Sequence, residues 1–141
     1  MQEVTIKQVL KEPITQRYMV LLESLDSLTV LPIPVGSDGA RMIHKRLCGE
    51  NTDERNLINS IGFLLKGLDD VNVDRVVIED YVDGVFTAKL YLNVEGVEKD
   101  IDCRPSDAIR FSLKMDVPLY VSERIVTGKT GSRKLCFQKE C

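Results

Sequence analysis

Four residues that could do chemistry together, Asp102, Arg104, Ser106 and Asp107, fall in one short run, Asp102-Cys103-Arg104-Pro105-Ser106-Asp107-Ala108-Ile109. Two carboxylates can hold a hard divalent cation and activate a water. A guanidinium can grip a phosphate at two points, and a hydroxyl beside a helix N-terminus offers further donors to the same anion. Phosphodiester hydrolysis needs these ingredients: an activated water, and charge relief at the non-bridging oxygens. Asp100 adds a third carboxylate on the same strand face as Asp102. The same residue types also suit a purely structural corner, with Ser106 or Asp107 capping a helix and Arg104 pairing a carboxylate. At the level of residue types both readings stand.

The elements that must position these groups can be read from periodicity. Val97, Lys99, Ile101 and Cys103 alternate with Glu98, Asp100, Asp102 and Arg104, the pattern of a half-buried strand whose apolar face carries Cys103. Pro105 has a backbone angle suited to the first helical position, so the strand turns directly into a helix that runs to about Met115. Upstream, Val73 to Asp80 and Val85 to Val94 form a hairpin about Asp83-Gly84, and Glu95-Gly96 turns into the strand at Val97. Alternation places Asp80 with Val76 and Ile78, and Glu79 on the opposite face. Turn chemistry alone accounts for Asp83-Gly84. Downstream, Pro118-Leu119-Tyr120-Val121 is a short strand, and Ser122-Glu123-Arg124 begins a last helical turn.

The first half of the chain has the same grammar. Strands are expected over Val4 to Lys11, Arg17 to Glu23 and Leu28 to Val35, then a helix through about Leu47. Pro32 and Pro34 cannot donate ladder bonds and mark the end of the third strand as an edge, where a symmetric contact could form, or as a departure from the sheet. A second helix opens at Thr52 or Asp53, with Leu57, Ile58, Ile61, Leu64, Leu65 and Leu68 at amphipathic spacing. Sliding the chain by 69 residues lays Val4 on Val73 and Ser37 on Ser106. The expected fold is therefore α+β: a β-β-β-α unit, present twice, with a mainly antiparallel or barrel-like sheet flanked by helices. The domain spans residues 1–126. From Thr127 onward the composition is that of a flexible C-terminal tail, residues 127–141.

With 141 residues, the chain is long enough for one domain with its own core. Its net charge of −3 argues against a dedicated nucleic-acid binder with a basic surface, though not against an enzyme that touches nucleic acid transiently. The N-terminus lacks the pattern of a signal peptide, and no apolar run is long enough to span a bilayer, so a cytoplasmic protein with no membrane partner is expected. Cys48, Cys103, Cys136 and Cys141 lack metal-ligand spacing, and Cys103 is expected as a reduced thiol on an apolar face. His44 lies mid-helix beside Ile43, a packing or surface position rather than that of a general base.

Asp102-x-Arg104-Pro105-Ser106-Asp107-Ala108-Ile109, followed by Pro118-Leu119-Tyr120-Val121, resembles the signature of the bifunctional nuclease family. Leu31-Pro32-Ile33-Pro34-Val35-Gly36 is similar to a second segment of that family, and Val76-x-Ile78-x-Asp80 through Asp83-Gly84-x-Phe86-x-Ala88 to its central hairpin. The likeness runs from about Val4 to Val126. It implies an α+β domain that assembles into homo-oligomers and cleaves DNA and RNA. In this reading Asp102, Arg104, Ser106 and Asp107 are the catalytic candidates. Asp102 and Asp107 would be ligands for a divalent metal, Mg or Mn. Two departures stand out: Gly39 where the family usually has Glu, and Glu54-Arg55-Asn56-Leu57 where it often has Thr-His-Asp-Leu. If the missing polar groups take part in catalysis, the alternative is a weak or inactive oligomeric module that binds nucleic acid or protein.

Overall fold

The computed structural model describes residues 1–49, 61–62, 64–65, 67–128 and 138–139. Seven strands form one open mixed sheet. They are β1 (Gln2–Lys11), β2 (Tyr18–Ser24), β3 (Val30–Val35), β4 (Val71–Val82), β5 (Val85–Val94), β6 (Val97–Cys103) and β7 (Leu119–Val121), in the order β3-β2-β1-β7-β4-β5-β6. All neighbours run antiparallel except β4 and β7, which pair parallel from Val76↔Leu119 to Ile78↔Val121. A short β8 (Gln138–Lys139) pairs the far end of β1, within the stretch whose composition reads as a tail. The sheet does not close into a barrel; among the described residues β3 and β6 are its free edges.

Three helices with defined bounds flank the sheet: α1 (Ser37–Leu47), α2 (Pro105–Met115) and α3 (Glu123–Gly128). The core lies between the helices and one sheet face. There Val20, Leu22, Ile33, Val76, Ile78 and Leu90 meet Ile43, Ala108, Ile109 and Phe111, all buried. Fully burying a side chain such as Ile109 stabilises the fold by about 1.5–3 kcal/mol. No helix among the described residues is long and apolar enough to cross a membrane.

Each half of the sheet is a three-strand meander followed by a helix, β1-β2-β3-α1 and β4-β5-β6-α2, with β7 between them. The elements start at closely matching places under the 69-residue shift found in the sequence. The two meanders run outward from β7 in opposite directions, so each helix covers the strands of its own unit and meets the other near their first turns. At that meeting point a Cβ built on Gly39 would lie 3.3 Å from Ser106 Cβ. The close approach is what Gly39 permits.

Of the second-helix stripe, Ile61 and Leu65 are helical and pack against the core, while Leu64 and Leu68 are exposed. Leu57 and Ile58, and the expected start at Thr52 or Asp53, lie outside the described residues. Gly62 lies close to the end of α2, where Lys114 Cγ would be 3.2 Å from an added Cβ.

Candidate functional site

β6 leads into the corner. Its hairpin with β5 turns through Glu95 and Gly96, both with positive φ (51° and 82°), as a tight two-residue turn of this hand requires. Val94 and Val97 are the closing pair, followed by Leu92↔Lys99, Leu90↔Ile101 and Ala88↔Cys103. Antiparallel ladders alternate, so these residues bond to β5 while the backbone N–H and C=O groups of Glu98, Asp100 and Asp102 point away from the sheet.

Val97 and Ile101 depart from the expected half-buried face: they are 55% and 50% exposed. α2 packs over β4 and β5, and β6, at the edge, extends past that cover. Cys103 is half-buried and free. Burial pushes its thiol up to about 11, with smaller contributions from the carboxylates of Asp107 and Asp102.

After Cys103 the chain leaves the strand through Arg104, which is extended and occupies the N-cap position of α2, with Pro105 following it. Of the structural alternative, capping by Ser106 or Asp107 does not form, since the helix start carries no side-chain cap bond, but Arg104 does pair a carboxylate. Asp107 turns to cations instead. Arg104 Nε donates to Asp107 Oδ2 at 3.0 Å and Arg104 Nη2 to Oδ1 at 3.4 Å, a two-point fork. Arg110 Nη1 reaches Oδ1 from one turn further on, at 3.9 Å. The fork holds the Arg104 guanidinium above its usual range, chiefly through the Asp107 hydrogen bond. The Arg104 side chain is 78% exposed and that of Asp107 only 20%, so the carboxylate is an anchor set into the surface and the guanidinium stands on it. Ser106 is half-buried against Gly39.

Asp102 is placed differently. It pairs in register with Lys89 on β5, so its side chain lies on the sheet face turned away from α2, and it makes no hydrogen bond or ion pair among the described residues. The fold thus joins Arg104 and Asp107, sets Ser106 beside them, and leaves Asp102 on the other side of the strand. Arg110 was missed by the sequence reading; its spacing of three from Asp107 on a helix was the available signal. Among the described residues, no three His, Cys, Asp or Glu side chains gather closely enough to hold a metal ion.

The outer face near Asp102 is a polar network. Tyr91 OH donates to Glu79 Oε1 at 2.5 Å, and that bond, helped by burial, pushes the phenol up to about 12. The Arg75 guanidinium stacks 4.0 Å from the Tyr91 ring centroid and reaches Glu98 at 3.7 Å, while Lys89 lies 3.9 Å from Asp100. Asp80 corrects the alternation reading. A bulge between Ile78 and Asp80 shifts the register, so Asp80 pairs with Thr87 and joins the outer face, away from Val76 and Ile78. There it accepts from the Tyr81 N–H at 2.9 Å and meets Arg124 at 3.6 Å. His44 is half-buried, with Nε2 3.7 Å from Cys48 Sγ, and Cys48 is disulfide-bonded. A cleft of about 420 Å³ opens elsewhere, between β1 and the α2–β7 connection, and none of the four candidate residues lines it.

Comparison with known proteins agrees with the corner's signature. No curated protein matches the chain. Residues 20–133, most of its length, match the bifunctional nuclease domain. A strand running through Asp102 into an Arg104-Pro105-Ser106-Asp107 helix start, repeated in outline at α1, therefore sits in a recognised frame: the chain belongs to the bifunctional nuclease domain family.

Proposed function

We propose that this protein is a nuclease that hydrolyses phosphodiester bonds of DNA and RNA, with the corner between β6 and α2 as its site. Family membership supports a nuclease-related role. The single observation that carries the assignment to this corner is the Arg104–Asp107 fork, mounted at an uncapped helix start. An exposed guanidinium held in a fixed plane by a sunken carboxylate is suited to grip a phosphate through its outward N–H groups. Ser106 and the first N–H groups of α2 offer neutral donors to the same anion. Asp107, steadied by Arg110, orients Arg104.

A divalent metal, Mg or Mn, at this corner would have Asp107 as its carboxylate without Asp102, which lies on the other side of the strand, so the described residues do not form a shared two-aspartate site. Asp107 would have to release Arg104 to accept the ion, so the roles above are those the chain's own groups perform. Action in the cytoplasm as a homo-oligomer completes the reading.

The second reading, an inactive module binding nucleic acid or protein, is favoured by one observation: both oxygens of Asp107 already face guanidinium groups. Cleavage of labelled single- and double-stranded DNA and RNA, with and without a chelator, separates the two. A nuclease loses most of its rate in Asp107→Ala and Arg104→Ala. Equal cleavage by wild type and both variants would place the activity elsewhere. Retained binding in a gel shift without cleavage would establish the second reading, and the chelator arm decides the metal.

A further inference from the structure

We propose that the free edge of β6 is a docking site for an extended, basic strand of another protein, which would add to the sheet beside Glu98, Asp100 and Asp102. The backbone groups of those three residues point away from β5 and have no ladder partner among the described residues. Their side chains make a row of three carboxylates on the outer sheet face, all exposed. On the opposite face of the same strand, Val97 and Ile101 stand exposed beyond the cover of α2. An incoming strand would therefore meet open hydrogen-bonding groups along its length, negative charge on one face, and on the other two apolar side chains with Lys99 between them.

This pattern specifies the occupant. A second copy of β6 is disfavoured by register. Antiparallel pairing about a two-fold axis normal to the sheet must match same-face residues, and every register within β6 sets acid against acid: Glu98 on Asp102, Glu98 on Asp100, Asp100 on Asp102, or Glu98 or Asp102 on its own copy. Like charges directly opposite one another destabilise a strand pair. A strand with Lys or Arg at alternate positions and Val, Ile or Leu between them meets the reverse situation, with opposite charges on the outer face and apolar contact at Val97 and Ile101. The counter-charges already present, Arg75 on Glu98 and Lys89 on Asp100, leave Asp102 without a partner among the described residues. Strand addition of this kind takes its affinity from main-chain bonds and its selectivity from alternate side chains.

The test uses the whole chain and a labelled synthetic nonapeptide alternating lysine and valine, with a glutamate–valine peptide as control. The lysine peptide is expected to bind saturably by fluorescence anisotropy and to slow amide exchange at Glu98, Asp100 and Asp102. Asp100→Pro removes one outward N–H without touching the β5 ladder, and should weaken binding at least tenfold while the circular dichroism spectrum is kept. Glu98→Lys with Asp100→Lys should weaken it comparably, and serves as the decisive variant should the proline disturb the strand. Equal binding of the glutamate peptide, exchange protection elsewhere, or unchanged affinity in the charge-reversed variant would overturn the proposal. So would a dimer in sedimentation that Glu98→Lys with Asp100→Lys dissociates, since that would give the edge to a second copy.

Discussion

Two corners of this molecule are built on one plan: β3 running into α1, and β6 running into α2. Under the 69-residue shift Ser37-Asp38-Gly39-Ala40-Arg41 overlies Ser106-Asp107-Ala108-Ile109-Arg110. Both helices begin without a side-chain cap, one after Gly36 and the other after Arg104. Yet Asp38 is exposed and makes no hydrogen bond or ion pair among the described residues, whereas Asp107 is sunken and bridged to two guanidinium groups. The residue before the helix start makes the difference: Val35 and Gly36 at one corner, Arg104 and Pro105 at the other. An aspartate in a helix's first turn gains modestly from the helix dipole wherever it sits. It becomes a mount for an exposed cation only where the chain supplies an arginine at the turn. The strand edges diverge as well, since β3 is guarded by Pro32 and Pro34, whereas β6 carries a row of carboxylates.

The comparison can be broken hardest in the core. Ala40 and Ile109 are equivalent and both buried, and the larger side chain fills the space over β4 and β5. Ile109→Ala should cost about 2–5 kcal/mol in urea unfolding, the range for removing a buried isoleucine side chain. A loss below about 1 kcal/mol would mean that α2 does not anchor its unit.

Next come the carboxylates. Asp107→Ala or Arg104→Ala should lower phosphodiester cleavage about 100-fold, the scale for losing one preorganised charge-stabilising group, while stability in Arg104→Ala, where the side chain removed is exposed, changes by no more than about 1 kcal/mol. Asp38→Ala should leave cleavage within about twofold, since that carboxylate orients no cation. Equal losses at Asp38 and Asp107 would erase the distinction between the corners.

A smaller effect lies where the corners touch. Gly39→Ala should gain about 0.5–1 kcal/mol of helix propensity but must push Ser106, 3.3 Å away. In a cycle with Ser106→Gly the gain should reappear, giving a coupling of about 0.5–1 kcal/mol. No coupling would place the helices further apart than described.

The smallest effect is electrostatic. With its thiol pushed up to about 11, Cys103 should alkylate at pH 8 about 100-fold more slowly than an exposed cysteine. Asp107→Asn removes the second of the causes of that shift and should speed the reaction. The sign for stability follows: between the ordinary thiol value and about 11 the folded state keeps a proton that the unfolded state has lost, so the contribution of this group falls as pH rises through that window. Alkylation as fast as in unfolded protein would show that Cys103 is not sheltered at the corner.

Much of this was legible in the chain itself, because it follows from local rules. Asp83-Gly84 and Glu95-Gly96 demand tight hairpin turns, Pro105 can sit in a helix only at its start, and Val76, Ile78, Phe86, Ala88 and Leu90 alternate toward one face. These dictate three strands and a helix, twice, and bring Arg104 within reach of Asp107. Tertiary structure alone decided which way the polar groups face. Whether Val97 and Ile101 are buried depends on β6 being last in the sheet and on how far α2 extends, which no local pattern encodes. The bulge at Glu79 moves Asp80 to the other face, because one extra residue reverses the period-two alternation. Asp102 and Asp107, five positions apart in sequence, end on different sides of one strand, because a strand's faces are fixed by parity and by where the next helix packs.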